Sequence, residues 1–331
     1  MRLVLVCIIG LIVVVPAAGF QESIRLRMSN YLPLQSVAVS KIMAPWSESI
    51  ENKSAGRIKF VSYYGGALGR GPHRQYLLTE KGVSDVSFVF LSMHSGRFRD
   101  AEVLEMPGLT NTGEEASILA WKLFEEGLLS GFGHVKVLAL FASEPGRLFT
   151  QRPVRNLSDY KGLKIRAAGQ VQGEYVYALG ATPEVLDAAT ATEALRRGTI
   201  NGLIQGWSGL AIFHQSDFVD YFVEAPVGVL TFAIIMNKER FESLPDEMKT
   251  IIDDNSGLAL SRRAGQAYDA YSDIYEGRFK ENGAVIATPM DAELRAALQA
   301  KRHFVINDWV GDDSRRARLL DRSESIIKAM R

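Results

Sequence analysis

The chain has 331 residues with 38 basic and 38 acidic side chains, so its formal net charge is zero. No basic run or stripe of Lys and Arg occurs, which argues against nucleic acid or anionic lipid as the main partner. The single cysteine, Cys7, lies in the first apolar segment. The rest of the chain can therefore form neither a disulfide nor a thiolate metal site.

The first segment of the chain has the layout of a secretory signal peptide. Arg2 precedes a short apolar run, Leu3–Val15, and Pro16 and small residues follow it. The run is too short for a bilayer core that needs about 20 residues. We therefore predict a signal peptide over residues 1–19, a mature chain beginning near Phe20 and a periplasmic location. The alternative is an uncleaved N-terminal anchor.

Short apolar runs alternate with longer amphipathic segments in the first half of the chain. Runs rich in β-branched and aromatic residues predict strands, and apolar positions at helical spacing predict helices. The predicted strands are 23–29, 58–63, 85–90 and 135–141, and the predicted helices are 37–53, 75–81 and 114–129.

The second half repeats this alternation. Strands are predicted at 163–166, 200–205 and 229–236, and helices at 171–179, 192–197 and 245–282, the last with a break near 255–257. Strands alternating with helices predict an α/β architecture with largely parallel sheets. The length predicts two lobes, and because no flexible linker is present we expect the chain to cross between them on structured elements.

Common chemical motifs are missing from the sequence. The five histidines have no metal-ligand spacing, and the segment 206–210 lacks the second glycine of a hydrolase nucleophile elbow. The glycine-rich segment 65–71 lacks the Lys-Ser/Thr of a phosphate-binding loop and predicts only a tight loop. We therefore expect no metal, no cofactor and no enzymatic activity.

Arg166 is the most informative polar residue, because it ends a predicted apolar strand. Ligands of open α/β sheets bind outside the carboxyl ends of strands. The planar guanidinium matches a carboxylate through two parallel hydrogen bonds. The alternative is a structural arginine paired with Asp or Glu, and the residues alone favour neither reading.

Several segments, in order along nearly the whole chain after residue 19, resemble the substrate-binding proteins of tripartite ATP-independent periplasmic (TRAP) transporters, the DctP-like family. The strongest matches the family pattern D-x-K-G-x-K-x-R and ends at Arg166. The segments are 156–166, 178–183, 193–202, 54–59, 66–69 and 236–238 with Leu244 and Pro245.

The resemblance implies a periplasmic binding protein of the Venus flytrap type, with two α/β lobes around a ligand cleft and a long C-terminal helix. The first lobe is expected to comprise residues 20–144 and 231–270, and the second 145–230 and 271–331. The family implies a monomer that captures a small organic acid, either a mono- or a dicarboxylate and including aromatic or hydroxy acids. It implies delivery to the small and large membrane subunits of a TRAP transporter.

The resemblance also implies roles for individual residues. Arg166 matches the family arginine that makes a two-pronged salt bridge to the ligand carboxylate, and Arg147 is placed to assist it. Gln205 falls where the family has an asparagine, and Asn201 falls where it has an aspartate. These departures bear on the identity of the ligand more than on its class.

Further residues at strand ends are candidates for lining the cleft. Asn30 and Tyr31 follow the first strand, and Ser92 and Glu144 follow the third and fourth. For the aromatic residues, core packing is an equal alternative. The remaining candidates are Trp207, after the strand that ends at Gln205, and Phe232, inside the strand 229–236.

Two other classes of function remain compatible with the pattern. A secreted hydrolase would need a nucleophile–base pair or a metal cluster, which the sequence does not offer. A binding protein that serves a sensory receptor would share the fold and the site, so the sequence does not separate sensing from transport.

Overall fold

The computed structural model describes residues 23–94 and 96–331, so the predicted signal peptide over 1–19 lies outside the described residues. Eleven strands occur in this part of the chain. They are β1 (Ile24–Ser29), β2 (Ile58–Tyr63), β3 (Val86–Phe90), β4 (Val135–Ala142), β5 (Arg147–Thr150), β6 (Lys164–Ala167), β7 (Thr182–Val185), β8 (Gly202–Gln205), β9 (Tyr221–Val223), β10 (Thr231–Asn237) and β11 (Ile286–Thr288).

Eleven α-helices accompany the strands in the described ranges. They are α1 (Ala44–Lys53), α2 (Gln75–Glu80), α3 (Gly113–Glu125), α4 (Gln170–Ala178), α5 (Ala188–Arg196), α6 (Trp207–Ile212), α7 (Lys238–Glu242), α8 (Asp246–Asp254), α9 (Gly257–Glu281), α10 (Ala292–Val310) and α11 (Ser314–Met330). Other helical segments are a π-helix at Ala38–Met43 and 3₁₀ helices at Pro72–Arg74, Leu91–Met93, Arg99–Glu105, Leu157–Tyr160 and Gln215–Phe218. None of these helices is long and apolar enough to cross a bilayer.

The strands form two separate mixed sheets. The first has the order β2-β1-β3-β10-β4, and the second has the order β11-β9-β5-β8-β6-β7. In each sheet one strand runs against the others: β10 is antiparallel to β3 and β4, and β5 is antiparallel to β8 and β9. The prediction of an α/β fold with largely parallel sheets is therefore confirmed.

The two antiparallel strands begin where the chain crosses between sheets. One crossing joins β4 to β5 and the other joins β9 to β10, and their backbones are hydrogen-bonded to each other. The Gly146 N–H donates to the Gly228 carbonyl at 2.7 Å, and the Ser143 N–H donates to the Leu230 carbonyl at 2.9 Å. The crossings are thus structured segments and not a flexible tether, as the missing linker predicts.

The predicted helix over 37–53 begins with a π-helical segment and becomes α1 at Ala44. Pro45 stands at the start of α1 and has no backbone N–H, so it cannot close an α-helical bond to the turn before it. The π-helical segment Ala38–Met43, which is wound more widely than an α-helix, ends just before Pro45. Its buried face includes Val39 and Ile42.

From Lys238 onward the chain is mostly helical, and β11 is the one strand in this part. The break predicted near 255–257 separates α8 from α9, a helix of 25 residues. After β11, α10 packs on α4, whereas α11 packs on α3 and on the turn Arg99–Glu105. The last two helices therefore contact elements associated with both sheets, and the lobe boundaries proposed from the sequence stay a prediction.

Candidate functional site: a buried arginine in the cleft between the sheets

A cavity of about 220 Å³ lies where the carboxyl ends of strands from both sheets meet. The first sheet contributes Phe90 at the end of β3, with Tyr31 and Glu144 shortly after β1 and β4. The second sheet contributes Arg166 from β6 and Gln205 from β8. Because parallel strands present their carboxyl ends on one edge, this position is the expected ligand site of an α/β fold.

Aromatic and aliphatic side chains form most of the cavity wall. Phe232 of β10 stacks on Tyr268 of α9, with ring centroids 5.6 Å apart and planes 14° apart. Phe90 lies against the same Phe232 ring at 5.0 Å. Flat apolar walls of this kind favour a ligand with a planar apolar body. Further apolar wall residues are Leu32, Val37, Ile212, Phe213 and Leu230.

Arg166 is the buried cation of this cavity, with 1% of its surface exposed. Its Nε donates to the Leu186 carbonyl at 2.8 Å, and its Nη1 donates to the Ile204 carbonyl at 2.9 Å. These two bonds fix the plane of the guanidinium. Among the described residues it makes no ion pair with any carboxylate, so the reading of a structural arginine paired with Asp or Glu finds no support.

Burial lowers the pKa of Arg166 to about 10, while the nearby Asp187 and Tyr31 act in the opposite direction. The guanidinium therefore stays charged at neutral pH. A desolvated cation without a paired anion is unfavourable in a protein interior. A carboxylate brought into the cavity would relieve that cost and would interact with the cation at low dielectric.

Gln205 lines the cavity and is part of a buried amide network. Its Nε2 donates to Oε1 of Gln215 at 3.1 Å, and its Oε1 accepts a longer bond of 3.3 Å from the Gly206 N–H. Both glutamine side chains are buried. The site therefore holds a neutral group, able both to donate and to accept, next to the buried cation.

Glu144 lies in the cavity wall and is 2% exposed. Its Oε1 accepts from the Ser208 N–H at 2.9 Å, and its Oε2 is buried without a hydrogen-bond partner among the described residues. Burial raises the pKa of Glu144 to about 7, against the lowering effect of the bonds from Ser208. Near neutral pH this carboxyl group is partly protonated.

Four of the residues proposed from the sequence are absent from the cavity lining, and Arg147 and Trp207 are two of them. Arg147 is half-buried at the start of β5 and donates to the carbonyls of Pro145 and Gly146. Trp207 begins α6 and is buried in the core of the second sheet, where it contacts Phe149 edge-on at 4.8 Å. Trp207 therefore packs in the core, which is the alternative to a place in the cleft that the sequence left open.

Asn30 and Ser92 also hold other positions. The Asn30 Oδ1 accepts from the Leu32 N–H at 2.9 Å and shapes the turn after β1. The Ser92 hydroxyl donates to Glu105, in a buried cluster apart from the cavity. Of the nine residues proposed from the sequence, the structure brings together Arg166, Gln205, Phe232, Tyr31 and Glu144 around the cavity.

The structure adds Arg70 and Tyr268 to the lining, and the sequence did not single out either. Arg70 is exposed and belongs to the glycine-rich loop 65–71, which was interpreted only as a tight loop. Its guanidinium forms no ion pair among the described residues. Only the basic residue inside the loop could have indicated a binding role.

A larger cavity of about 690 Å³ lies between α10, α11 and the crossing segment Glu224–Pro226. Its charged lining residues, including Arg302 and Lys328, are exposed or half-buried. Charges that remain in contact with water bind small anions weakly. The smaller cavity with the buried Arg166 is therefore the better candidate, and no cluster of possible metal ligands occurs among the described residues.

Comparison with known proteins places the chain among bacterial binding proteins. The model of the DctP family, described as bacterial extracellular solute-binding protein family 7, matches residues 28–307. A relative from Comamonas testosteroni, named outer membrane transporter protein TsaT, is 24% identical over 318 residues, covering 94% of this chain and 92% of the relative.

Two solved structures share the fold closely. A TRAP solute-binding protein from a marine metagenome, described as specific for aromatic acid ligands and solved with 3-hydroxybenzoate, is 25% identical with a TM-score of 0.87 over 93% of this chain and 99% of that one. A TRAP solute-binding protein from Rhodoferax ferrireducens, solved with copurified benzoate, is 26% identical with a TM-score of 0.86. The match covers 93% of this chain and 98% of that one. The family model covers most of the chain, and the protein therefore belongs to the DctP family of bacterial extracellular solute-binding proteins.

Proposed function

We propose that this protein binds a small aromatic carboxylate in the cavity between its two sheets and delivers it to the membrane subunits of a TRAP transporter. The observation that carries the proposal is the buried guanidinium of Arg166, which has no anionic partner among the described residues and lies in an otherwise largely apolar cavity. The ligand carboxylate supplies the partner, and the ligand ring fills the apolar space.

The choice of an aromatic acid rests on the wall and on the size of the cavity. The rings of Phe232 and Tyr268, stacked on each other, form part of an apolar wall, and a volume of about 220 Å³ suits a single ring with a short acidic arm. Two structural relatives bind 3-hydroxybenzoate and benzoate, which supports the same class of ligand here. A compact dicarboxylate would not fill the apolar space beside Phe232 and Tyr268, and burying its second charge there is unfavourable.

The ligand class is tested by calorimetry and thermal unfolding of the purified protein with matched acids. We expect benzoate, phenylacetate and hydroxybenzoate to bind and to raise the melting temperature. Succinate and malate at the same concentrations are expected to leave it nearly unchanged. Stronger stabilisation by the dicarboxylates than by the aromatic acids would refute the proposed class.

Delivery to a transporter is tested separately, because binding alone does not distinguish transport from sensing. Vesicles that contain the cognate TRAP membrane subunits should accumulate labelled aromatic acid only when the binding protein is added with a sodium gradient. Uptake that is independent of the added protein would contradict delivery while leaving the proposed binding function intact.

We also expect Arg70 to contribute a second, weaker cationic contact from the first-sheet side of the cavity. Replacing Arg70 with alanine should weaken binding about 3- to 10-fold, because an exposed charge is partly screened by water. The loss should shrink as salt concentration rises. Arg74→Ala is the matched control, since Arg74 is exposed in the same segment and does not line the cavity. Equal losses in both variants would contradict a role for Arg70.

A further inference from the structure

Behind the cavity wall, a fully buried glutamine holds the carboxamide of Gln205. Gln215 has no exposed surface, and its Oε1 accepts the bond from Gln205 Nε2. The Gln215 Nε2 donates to the Ala188 carbonyl at 3.0 Å and to the Thr192 hydroxyl at 3.2 Å. The network thus joins β8, α5 and the turn Gln215–Phe218 behind the ligand site.

This network leaves only one orientation for the Gln205 amide. The Ala188 carbonyl can only accept a hydrogen bond, so the nitrogen of Gln215 must face it. The oxygen of Gln215 then faces Gln205, so Gln205 must donate to it through its own amide nitrogen. The Gln205 oxygen is therefore turned away from Gln215, and its one hydrogen bond within the described part of the chain is the long bond from the Gly206 N–H. It keeps a lone pair for another donor.

Backbone packing holds the same amide in place. A Cβ atom on Gly209 would lie 2.6 Å from the Gln205 Cδ, so the carboxamide lies directly against the α6 backbone. His214, immediately before Gln215, has a left-handed backbone with φ of 51°. Such a conformation is unfavourable for a residue with a side chain. The chain adopts it at the point where Gln215 turns back beneath the cavity.

Gln205 lines the same cavity as the group that would bind the ligand carboxylate. Arg166 Nη1 donates to the carbonyl of Ile204, the residue before Gln205, and Arg166 and Gln205 line the same cavity. A ligand held by Arg166 therefore places the atoms next to its carboxylate near the Gln205 amide.

Resting on the function proposed above, we propose that Gln215 is a positioning residue that orients the Gln205 carboxamide, and that Gln205 in turn selects aromatic acids with a hydroxyl group close to the carboxylate. A hydroxyl can donate to the free lone pair of the Gln205 oxygen. The same acid without the hydroxyl leaves that lone pair without a donor, so it gains one hydrogen bond fewer.

The experiment compares phenylacetate with mandelate, its 2-hydroxy derivative, by calorimetry. Wild-type protein is expected to bind mandelate about 3- to 10-fold more tightly, the value of one neutral hydrogen bond. Gln215→Met keeps the size of the side chain and removes the acceptor that orients Gln205. The ratio of mandelate affinity to phenylacetate affinity should then fall towards 1, while the affinity for phenylacetate itself changes little.

A second variant covers the case in which Gln215→Met does not fold. Gly209→Ala suits a helix, and its new methyl group would displace the Gln205 amide from its place against α6. It should also reduce the mandelate preference. Gln172→Met is the control, because Gln172 is a buried glutamine outside the cavity lining. It should leave the preference unchanged.

Each result decides between the hypotheses. Equal affinity of the wild type for both acids overturns the selectivity, and equal weakening of both acids by Gln215→Met and Gly209→Ala overturns the positioning role. In both cases the proposed function stands. Failure of the wild type to bind either acid overturns the proposed aromatic ligand and this inference together.

Discussion

Replacing Arg166 with alanine is expected to weaken binding of an aromatic acid by at least about 30-fold and up to several thousandfold. Truncating one partner of a buried, hydrogen-bonded charge pair costs about 2–5 kcal/mol, and each 1.4 kcal/mol is about tenfold in affinity. The ligand carboxylate would enter the cavity and lose its water without gaining a cation. Calorimetry with benzoate or phenylacetate measures the loss.

The same substitution should also lower the free energy of unfolding. Arg166 donates to the carbonyls of Leu186 and Ile204, and both would lose a partner. An unpaired buried polar group costs about 1–3 kcal/mol. Arg166→Lys separates the two effects, because it keeps a charge but loses the planar fork. We expect it to bind more weakly than the wild type and more tightly than the alanine variant.

Arg152→Ala provides the matched control for this prediction. Arg152 is an exposed arginine that also donates to backbone carbonyls, those of Asp159 and Lys161, and it lies outside the cavity lining. Its removal should leave ligand affinity unchanged. If Arg166→Ala retained the affinity of the wild type, the ligand carboxylate would have to bind elsewhere.

Long apolar runs made most of the fold predictable from the sequence. The predicted strand over 58–63 coincides with β2, and the predicted helix break near 255–257 coincides with the gap between α8 and α9. Short strands were missed because tertiary pairing creates them. β7 (Thr182–Val185) is an edge strand with Pro183 and polar neighbours, and its local sequence has little β preference.

The candidate site was predictable where a charge ends a buried strand, as at Arg166. It was less predictable where the chain turns directly after a strand. Trp207 follows β8 by two residues, yet α6 begins there and directs the indole into the core beside Phe149. Tyr268 reaches the cavity from the middle of α9, and Arg70 reaches it from a loop. Only the packing of distant elements reveals such positions.

Glu105→Gln is expected to stabilise the protein by about 1–3 kcal/mol at pH 8 and to have little effect at pH 4.5. Glu105 is 3% exposed and accepts hydrogen bonds from the hydroxyls of Ser92 and Thr231. Burial raises its pKa from the ordinary 4.5 to about 7, against the lowering effect of those bonds. A pKa difference of this size between the folded and the unfolded chain corresponds to roughly 3 kcal/mol in the free energy of unfolding.

The sign follows from proton binding in the two states. Below pH 4.5 the carboxyl group is protonated in both the folded and the unfolded chain, so it imposes no penalty. Between pH 4.5 and 7 the unfolded chain releases the proton first, and stability falls as the pH rises. Above pH 7 both states are ionised and the penalty stays constant. Glutamine keeps the acceptor for Ser92 and Thr231 without ever carrying the charge.

Urea unfolding at pH 4.5 and pH 8 measures this effect, and Glu125→Gln serves as the control. Glu125 is exposed on α3 and forms no ion pair among the described residues, so its variant should follow the wild type at both pH values. Glu144 is present in both the wild type and the Glu105→Gln variant, so its own titration contributes equally to the stability of both proteins. The Glu105 carboxyl group lies next to a crossing between the sheets, because its partner Thr231 is the first residue of β10, directly after the β9–β10 crossing. A variant that lost stability equally at both pH values would contradict a charge penalty at Glu105.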